Sequence, residues 1–280
     1  MIVRPNCKIN LGLNVVRKRI DGYHDIETVF YPASLSDIVE IQPSQDGNFH
    51  FSSSGLKIPG DSSSNLCVQA YNLMNEHFGI PPVTIRLEKI IPTGSGLGGG
   101  SSDGAFTLKA LNEIFRLSLS NDQLKAFASR LGSDCTFFID NRPAFAQGRG
   151  EKLEAVPISL KGTFLIIVIP HVHISTSEAY AMINPEKPSI SLREIVKTPV
   201  SEWKSKMVND FEKPVINKFP LIGKIKDLLY DKGALYASMS GSGSSVYGLF
   251  KEIPAVEGLF PGCFVWLSPT HNPELPTPNP

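Results

Sequence analysis

A glycine-rich segment, Pro92 to Ser102 (PTGSGLGGGSS), carries the clearest chemical signal in the sequence. Five glycines precede two serines, and no acidic residue lies among them. Without a Cβ, a glycine backbone lets several N–H groups converge on phosphate oxygens. A helix that follows such a loop adds its own N-terminal N–H groups and a dipole that favours an anion. The segment therefore predicts a phosphate-binding loop.

The nucleotide-binding assignment covers the whole loop. Its residues are Pro92, Thr93, Gly94, Ser95, Gly96, Leu97, Gly98, Gly99, Gly100, Ser101 and Ser102. The two serines have alternative roles, because each hydroxyl can cap the following helix or can meet Mg²⁺ or a phosphate oxygen. A flexible connector between a strand and a helix is the competing interpretation of the whole segment.

Other glycine-loop classes fit the surrounding sequence less well. Gly94, Gly96 and Gly99 spell G-x-G-x-x-G, which is typical of dinucleotide-binding folds. That motif follows a continuously apolar strand and precedes an acidic strand end, whereas here the leading strand alternates and the downstream region reads SLSND. A Walker A loop needs a Lys-Ser or Lys-Thr after its glycines, and protein kinases need H-R-D and D-F-G. No Lys-Ser or Lys-Thr follows these glycines, and neither H-R-D nor D-F-G occurs in the sequence.

Periodicity predicts the elements that hold the loop. Apolar residues alternate with polar ones over 83–88, which predicts a strand with one exposed face. Two helices should follow the loop, and the second should end at Gly132. Their apolar positions are Ala105, Leu108, Leu111 and Phe115, then Leu124, Phe127 and Leu131.

The rest of the chain mixes strands and helices. Strands are predicted at 8–19 and 26–31 around an Asp21-Gly22 turn, and then at 38–41, 49–52 and 163–169. A helix with a buried stripe at Leu66, Ala70, Met74 and Phe78 should start after Ser64 or Asn65 and stop at Gly79 and Pro81. Helices near 192–197 and 221–230 precede segments 234–239 and 245–250, which flank a GSG turn. The predicted class is α+β, with domains at 1–155 and 156–270 and a proline-rich tail at 271–280.

Composition limits the partners. The 27 basic residues balance the 27 acidic ones, so no global basic field favours nucleic acid or an anionic membrane. The four cysteines are far apart and form no C-x-x-C pair, which indicates reduced thiols rather than zinc or a disulfide scaffold. No signal peptide or membrane span is evident. We expect a cytoplasmic protein that is a monomer or a weak homodimer, binds neither nucleic acid nor membrane, and has no protein-ligated metal.

Three ordered segments together resemble the GHMP small-molecule kinases: RPNCKINLGL, PTGSGLGGGSS and SMSGSGSSVYGLF. DGYH, LGSDCTFFI, AFAQGRGE and NDFE further resemble the branch of that superfamily that acts on 4-diphosphocytidyl-2-C-methyl-D-erythritol. The resemblance spans residues 4–250 and implies a GHMP kinase fold, in which an N-terminal domain like ribosomal protein S5 domain 2 precedes a smaller α+β domain.

The resemblance also implies a reaction. ATP, carried with Mg²⁺, would donate its γ-phosphoryl group to the 2-hydroxyl of a cytidine diphosphate substrate, in the non-mevalonate isoprenoid route. The alternatives are another GHMP kinase, acting on mevalonate, homoserine or a sugar, and a nucleotide-binding protein without turnover. The DGYH segment and Tyr180 favour the cytidyl substrate over the other acceptors.

Two residues match the family's catalytic pair. Asp134 would take the acceptor proton, although a turn or capping Asp is its plain structural interpretation. Lys8 would pair with Asp134 and stabilise the developing charge, although strand lysines are usually solvated. Asn10 lies two residues further on the same strand face and would orient the acceptor.

The remaining assignments also come from the resemblance. Tyr23, His24, Thr176 and Tyr180 would contact the cytidine end, with Tyr180 stacking on cytosine; exposed turn residues and a structural tyrosine are the alternatives. Asn65 and Lys89 would flank adenine, or else serve as an N-cap and a solvated lysine. Gly241 and Ser242 would bind the substrate's phosphates, or else simply form a hairpin turn.

Two departures from the family pattern fall in the helix after the loop. Gly104 stands where alanine is usual, which disfavours the helix unless another backbone approaches closely. Asp103 places a carboxylate near the triphosphate, so it must point away or bind the magnesium through water.

Overall fold

The structure, a computed structural model, describes residues 1–270, and the predicted tail at 271–280 lies outside them. The strands are β1 Ile2–Val3, β2 Asn6–Lys18, β3 His24–Ser36, β4 Ile38–Pro43, β5 His50–Gly55, β6 Val83–Lys89, β7 Ala144–Gly148, β8 Lys152–Ala155, β9 Phe164–Pro170, β10 Tyr236–Met239, β11 Val246–Phe250 and β12 Cys263–Pro269. The helices are α1 Leu66–Phe78, α2 Gly99–Ile114, α3 Asn121–Leu131, α4 Cys135–Asp140, α5 Thr176–Ala181, α6 Leu192–Ile195, α7 Trp203–Lys206, α8 Glu212–Lys218 and α9 Pro220–Asp231. The mixed α+β class is confirmed.

The chain forms two compact units. The first comprises Met1–Cys7, Leu35–Thr93 and Gly98–Asn141, and the second comprises Lys8–Ser34, Gly94–Leu97 and, among the described residues, 142–270. Both units are assembled from separate stretches of sequence, whereas the predicted domains, 1–155 and 156–270, are continuous. The domain boundaries stay a prediction.

The first unit contains a sheet of order β1-β4-β6-β5 together with helices α1 to α4. β6 pairs antiparallel with β4 and parallel with β5, and α1 connects the two parallel strands. Burial alternates along β6, as predicted: Val83, Ile85 and Leu87 are buried, while Arg86 and Glu88 are exposed. The strand therefore enters the glycine loop with one face in the core.

Local signals define the helix ends in this unit. Asn65 caps α1 by accepting the Cys67 N–H at 2.9 Å, and Gly79 ends it in a left-handed conformation with a φ of +59°. α3 ends before Gly132, also as predicted. The predicted stripe on α1 is wrong at Phe78, the last helical residue, which is 39% exposed and contacts the ring of Phe127 at 5.5 Å between ring centres.

The second unit contains two sheets, with orders β2-β3-β7-β8 and β10-β11-β9-β12. β2 and β3 flank the predicted turn, where Gly22 has a φ of +82°. Leu13 and Ile26 of the first sheet share one core with Val168 of the second sheet and with Leu229 of α9. β9 is a central strand that pairs with β11 and β12 on its two edges, and its side chains at 165–170 are buried on both faces, which accounts for its continuous apolar run.

Gly104 lies in α2 where that helix meets α1. A Cβ added to Gly104 would lie 2.9 Å from the Cβ of Leu66 and 3.3 Å from the Leu66 carbonyl oxygen. Alanine therefore does not fit unless the helices move apart. The departure from the family pattern has a packing cause, because glycine permits the close approach of the two backbones.

We expect Gly104→Ala to lower the free energy of unfolding by about 1–2 kcal/mol, because steric overlap outweighs the helix propensity that alanine gains. Gly100→Ala is the matched control, since Gly100 is exposed in the same helix and nothing lies within 4 Å of an added Cβ. The control should be neutral or stabilising by up to about 1 kcal/mol. Urea unfolding measures both, and equal stabilities for the two variants would contradict the close approach.

Candidate active site

Lys8 lies on β2 in the second unit and is only 4% exposed. Its Nζ donates to Asn10 Oδ1 at 2.6 Å and to the Gly96 carbonyl oxygen at 3.0 Å, and it lies 5.0 Å from the centre of the Phe30 ring. A buried ammonium needs such acceptors, because desolvation otherwise disfavours its charged form. The solvated alternative is wrong for Lys8, whose charge is held beside the glycine loop.

Asn10 shares the face of β2 that carries Lys8, as strand alternation predicted. Its Nδ2 donates to Thr28 Oγ1 at 2.9 Å, and Thr28 in turn donates to the Gly12 carbonyl oxygen at 2.6 Å. Its backbone N–H donates to Ser240 Oγ at 3.2 Å. Asn10 therefore joins β2, β3 and the SMSGSGSSVYGLF segment through buried hydrogen bonds.

The SMSGSGSSVYGLF segment contains the predicted turn, which connects β10 to β11. Ser240 Oγ lies 3.1 Å from the Gly96 carbonyl oxygen, and a Cβ on Gly96 would lie 2.1 Å from the Ser240 carbonyl oxygen. Gly241 adopts a φ of +56°, and Ser242 is half-buried beside it. The turn thus packs directly on the glycine loop. The phosphate-binding roles of Gly241 and Ser242 stay predictions.

Two buried residues that sequence reasoning gave no role hold this turn. Asn209 Nδ2 donates to the carbonyl oxygens of Met239 and Gly241 at 2.8 and 2.9 Å. Glu212 Oε1 accepts the Met239 N–H at 2.7 Å, while its Oε2 accepts from Lys226 Nζ at 2.6 Å. The NDFE segment at 209–212 was the available signal, and its two ends act as supports for the turn.

The glycine loop uses conformations that favour glycine. Gly94, Gly96 and Gly98 have φ values of +68°, +81° and +70°. Gly98 is the N-cap residue of α2, so Ser101 and Ser102 lie inside the first turns of the helix. The N-cap alternative is therefore wrong for both serines. Ser102 Oγ is buried and has no hydrogen-bond partner among residues 1–270.

Lys89 ends β6 in the first unit and is 2% exposed. Its Nζ donates to a carboxylate oxygen of Asp37 and to Asp103 Oδ2, the latter at 2.7 Å. The solvated alternative is wrong for Lys89. Position 89 continues the buried positions of 83–87, and that spacing was the signal that the lysine is buried. Asp103 is directed at Lys89, and the adenine contact of Lys89 stays a prediction.

The ionisation of this cluster follows from its burial. Burial raises the pKa of Asp103 to about 8, an effect that Lys89 opposes and Asp37 reinforces. Burial lowers the pKa of Lys89, but the charges of Asp103 and Asp37 more than offset this and the net pKa is raised. The three groups are therefore coupled through their charges.

Asp134 immediately precedes α4 and is half-buried. Its side chain makes no capping hydrogen bond to that helix, so the capping alternative is wrong. Asn65, in contrast, does cap α1. The catalytic role of Asp134 and the adenine contact of Asn65 both stay predictions.

The residues predicted to contact cytidine include a stacked pair in the second unit. The rings of His24 and Tyr180 stack with centres 4.7 Å apart and an angle of 17°, and Phe211 meets Tyr180 edge-on at 4.9 Å. Thr176 begins the short helix that ends just after Tyr180. Tyr23 is 53% exposed, with the Arg149 guanidinium 4.1 Å from its ring centre. The structure therefore brings His24 and Tyr180 together.

Two effects favour the neutral form of the His24 ring. Partial burial, followed by the charge of Lys18, lowers the pKa of His24. A neutral imidazole both donates and accepts a hydrogen bond, which suits the edge of a nucleobase.

Within residues 1–270, no group of three or more His, Cys, Asp or Glu side chains is arranged to hold a metal ion. None of the helices in this part of the chain combines the length and apolar character that crossing a bilayer requires.

Comparison with known proteins accounts for most of the chain. Residues 65–149 match the model of the GHMP kinases N terminal domain, and residues 192–259 match that of the GHMP kinases C terminal domain. The 4-diphosphocytidyl-2-C-methyl-D-erythritol kinase of Bacteroides thetaiotaomicron is 52% identical over 263 residues, which cover 93% of this chain and 94% of the relative. The protein of that name from Cytophaga hutchinsonii is 47% identical over 255 residues, covering 91% and 94%.

Solved structures agree with this result. A crystal structure of 4-(cytidine 5'-diphospho)-2C-methyl-D-erythritol kinase matches with a TM-score of 0.82 and 31% identity, covering 95% of this chain and 98% of that one. The mevalonate kinase of Methanococcus jannaschii matches with a TM-score of 0.68 at 17% identity, covering 97% and 98%, and therefore shares the fold alone. The predicted GHMP kinase fold is confirmed. The chain belongs to the 4-diphosphocytidyl-2-C-methyl-D-erythritol kinase family of the GHMP kinases.

Proposed function

We propose that this chain transfers the γ-phosphoryl group of ATP to the 2-hydroxyl of 4-diphosphocytidyl-2-C-methyl-D-erythritol, giving the 2-phosphate and ADP, a step of the non-mevalonate isoprenoid route. Family membership supports ATP-dependent phosphoryl transfer. The structural observation that carries the proposal is the buried network around the Gly96 carbonyl oxygen. In it, Lys8 and Asn10 of the RPNCKINLGL segment and Ser240 of the SMSGSGSSVYGLF segment bind one another and the glycine loop.

The proposed step is a single displacement at phosphorus. The acceptor oxygen forms a bond to the γ-phosphorus while the bond to the bridging oxygen of ADP breaks, and the hydroxyl proton moves to the Asp134 carboxylate. The transition state of such transfers is loose, so positioning and charge stabilisation dominate catalysis. A carboxylate that takes the proton late in the step is sufficient for this role.

Lys8 is proposed to stabilise the charge that develops near the acceptor oxygen. Its ammonium is already desolvated and held by Asn10 and Gly96, so little reorganisation is needed as charge develops. Electrostatic stabilisation is stronger in such a buried setting than in water. Asn10 is proposed to orient the acceptor from the same strand face.

The phosphates of ATP are proposed to bind the N–H groups of the glycine loop at the start of α2. Mg²⁺ is proposed to arrive with ATP, and when bound it neutralises charge on the phosphate oxygens. Oxygen donors suit this ion, and the hydroxyls of Ser101 and Ser102 in the first turns of α2 are of that class. The buried Ser102 hydroxyl, without a partner among the described residues, fits such a role.

The cytidine end is proposed to bind at Tyr23, His24, Thr176 and Tyr180. The rings of His24 and Tyr180 form a stacked pair, and cytosine is proposed to extend that stack. Cytosine stacked on Tyr180 and hydrogen-bonded by His24 would use both the faces and the edges of this pair.

The remaining proposals concern setting and partners. We propose that the cytidyl substrate is the small-molecule partner and that the chain is cytoplasmic, a monomer or a weak homodimer. The buried thiols of Cys67 and Cys135, which form no disulfide, support a reducing compartment. The balance of 27 basic and 27 acidic residues supports a small-molecule partner rather than nucleic acid.

The decisive assay combines the purified protein with ATP, Mg²⁺ and the diphosphocytidyl substrate and measures ADP formation. Mevalonate, homoserine and a sugar serve as competing acceptors under the same conditions. Folded protein that forms no ADP with the cytidyl substrate, or that prefers another acceptor, would contradict the proposal.

Asp134→Asn should lower kcat by about 10²- to 10⁴-fold, because the amide cannot accept the hydroxyl proton. The Kd for Mg·ADP should change by less than about threefold, since Asp134 acts on the acceptor. Steady-state kinetics and calorimetric titration with Mg·ADP measure the two effects.

Asp140→Asn is the matched control, because Asp140 lies in the adjacent helix α4 and pairs with Lys125 at 2.6 Å. This variant should keep its turnover. Equal losses of turnover and of Mg·ADP affinity in Asp134→Asn would show that Asp134 has been misassigned.

Tyr180→Ala should raise the KM for the cytidyl substrate by about 5- to 100-fold, because a stacked base contributes about 1–3 kcal/mol. The KM for ATP should stay nearly constant. Tyr180→Phe keeps the stacking face and is the control, with both constants close to those of the parent. An unchanged substrate KM in a folded Tyr180→Ala variant would return Tyr180 to a purely structural role.

A further inference from the structure

Three buried ionisable residues of the first unit contact the chain on both sides of the glycine loop: Asp37, Lys89 and Asp103. We propose that this ionic cluster positions the two ends of the loop, the exit of β6 and the first turn of α2, for binding nucleotide phosphates. The inference rests on the proposed function, since it assumes that the loop holds ATP. It gives these three side chains a positioning role rather than a direct contact with the ligand.

On the strand side, Asp37 controls the chain that leaves β6. Its Oδ1 accepts the backbone N–H groups of Ile90 at 2.6 Å and Ile91 at 2.8 Å, immediately before Pro92 begins the loop. Asp37 is completely buried, and its own N–H donates to the Pro5 carbonyl oxygen at 2.9 Å. One carboxylate oxygen therefore sets the direction in which the backbone enters the loop.

On the helix side, the cluster contacts the beginning of α2. Lys89 Nζ binds Asp103 Oδ2 at 2.7 Å, one turn into that helix. A Cβ on Gly99, the first helical residue, would lie 3.0 Å from Lys89 Nζ and 2.9 Å from Ile91 Cγ2. The lysine thus packs against the backbone of the first turn, whose N–H groups are those proposed to meet the phosphates.

Stability alone does not account for charged groups at these three positions. Replacing a buried ion cluster by apolar residues of similar volume is often neutral or stabilising. Directional bonding is what the carboxylate adds, because Asp37 accepts two backbone N–H groups and an ammonium at once. Apolar side chains cannot fix the backbone in this way.

The contacts also separate this role from recognition of adenine. Both Lys89 contacts are to buried carboxylates, and the side chain itself is 1% exposed. An ammonium in this position reaches a ligand only through the loop it supports. Lys89 is therefore a positioning residue in this proposal.

The test measures the Kd for Mg·ADP by titration calorimetry, alongside urea unfolding of each variant. Asp37→Ala, which frees the Ile90 and Ile91 N–H groups, should weaken Mg·ADP binding by about tenfold or more, because small displacements of binding groups have large effects. Asp37→Asn retains an oxygen acceptor and should recover much of the affinity. The KM for the cytidyl substrate should change far less than the KM for ATP.

Glu40→Ala is the matched control. Glu40 lies on β4 and pairs with Arg86 of β6 at 3.0 Å, so this variant breaks an exposed ion pair between β4 and β6. Its Mg·ADP affinity should be unchanged. A folded Asp37→Ala variant that binds Mg·ADP as tightly as Glu40→Ala would overturn the inference.

A second variant covers the case in which Asp37→Ala does not fold. The triple variant Asp37→Asn, Lys89→Met and Asp103→Leu leaves no charged group in the cluster, so it should fold. It should bind Mg·ADP about tenfold more weakly, since the ties to the first turn of α2 are lost. Parental affinity in the triple variant would equally overturn the inference.

Failure of the parent protein to bind Mg·ADP would instead refute the proposed function, so the two proposals fail in distinguishable ways.

Discussion

Close approach of other groups to the glycine backbone is the constraint on which the rest of the site depends. A Cβ on Gly96 would lie 2.1 Å from the Ser240 carbonyl oxygen, and one on Gly99 would lie 3.0 Å from Lys89 Nζ. No side chain fits at either position, so the loop cannot be held by side chains of its own at these points. Its geometry must come from its neighbours, which explains why polar residues far away in sequence are buried beside it.

The charge balance of those neighbours determines what the loop offers to an anion. The cluster contains one ammonium, that of Lys89, and the two carboxyl groups that bind it, those of Asp37 and Asp103. The cluster therefore supplies shape rather than net positive charge. Under the proposed function, the phosphates would therefore interact with backbone N–H groups of the loop and with the dipole of α2.

Local patterns predicted much of the fold. Periodicity and capping residues gave β6, α1 and α3 with their ends, because these signals lie within a few residues of the element. α4 was missed since its six residues are too few to show a period. The supports at Asn209 and Glu212 were missed because their partners are 27 to 32 residues away, where no local pattern reports them. The burial of Lys89 was predictable from strand phase, but the general tendency of lysine to be solvated argued the other way.

One fold can serve kinases that act on different acceptors. The mevalonate kinase of Methanococcus jannaschii shares this fold at 17% identity, so the arrangement of strands and helices does not select the substrate. The glycine loop presents backbone groups, whereas a stacked pair such as His24 and Tyr180 depends on two particular side chains. Tyr180 lies on a helix of six residues, and a short element of that kind can vary without disturbing the sheets. Acceptor specificity can therefore diverge through a few aromatic and polar side chains while the phosphate loop and its supports stay the same.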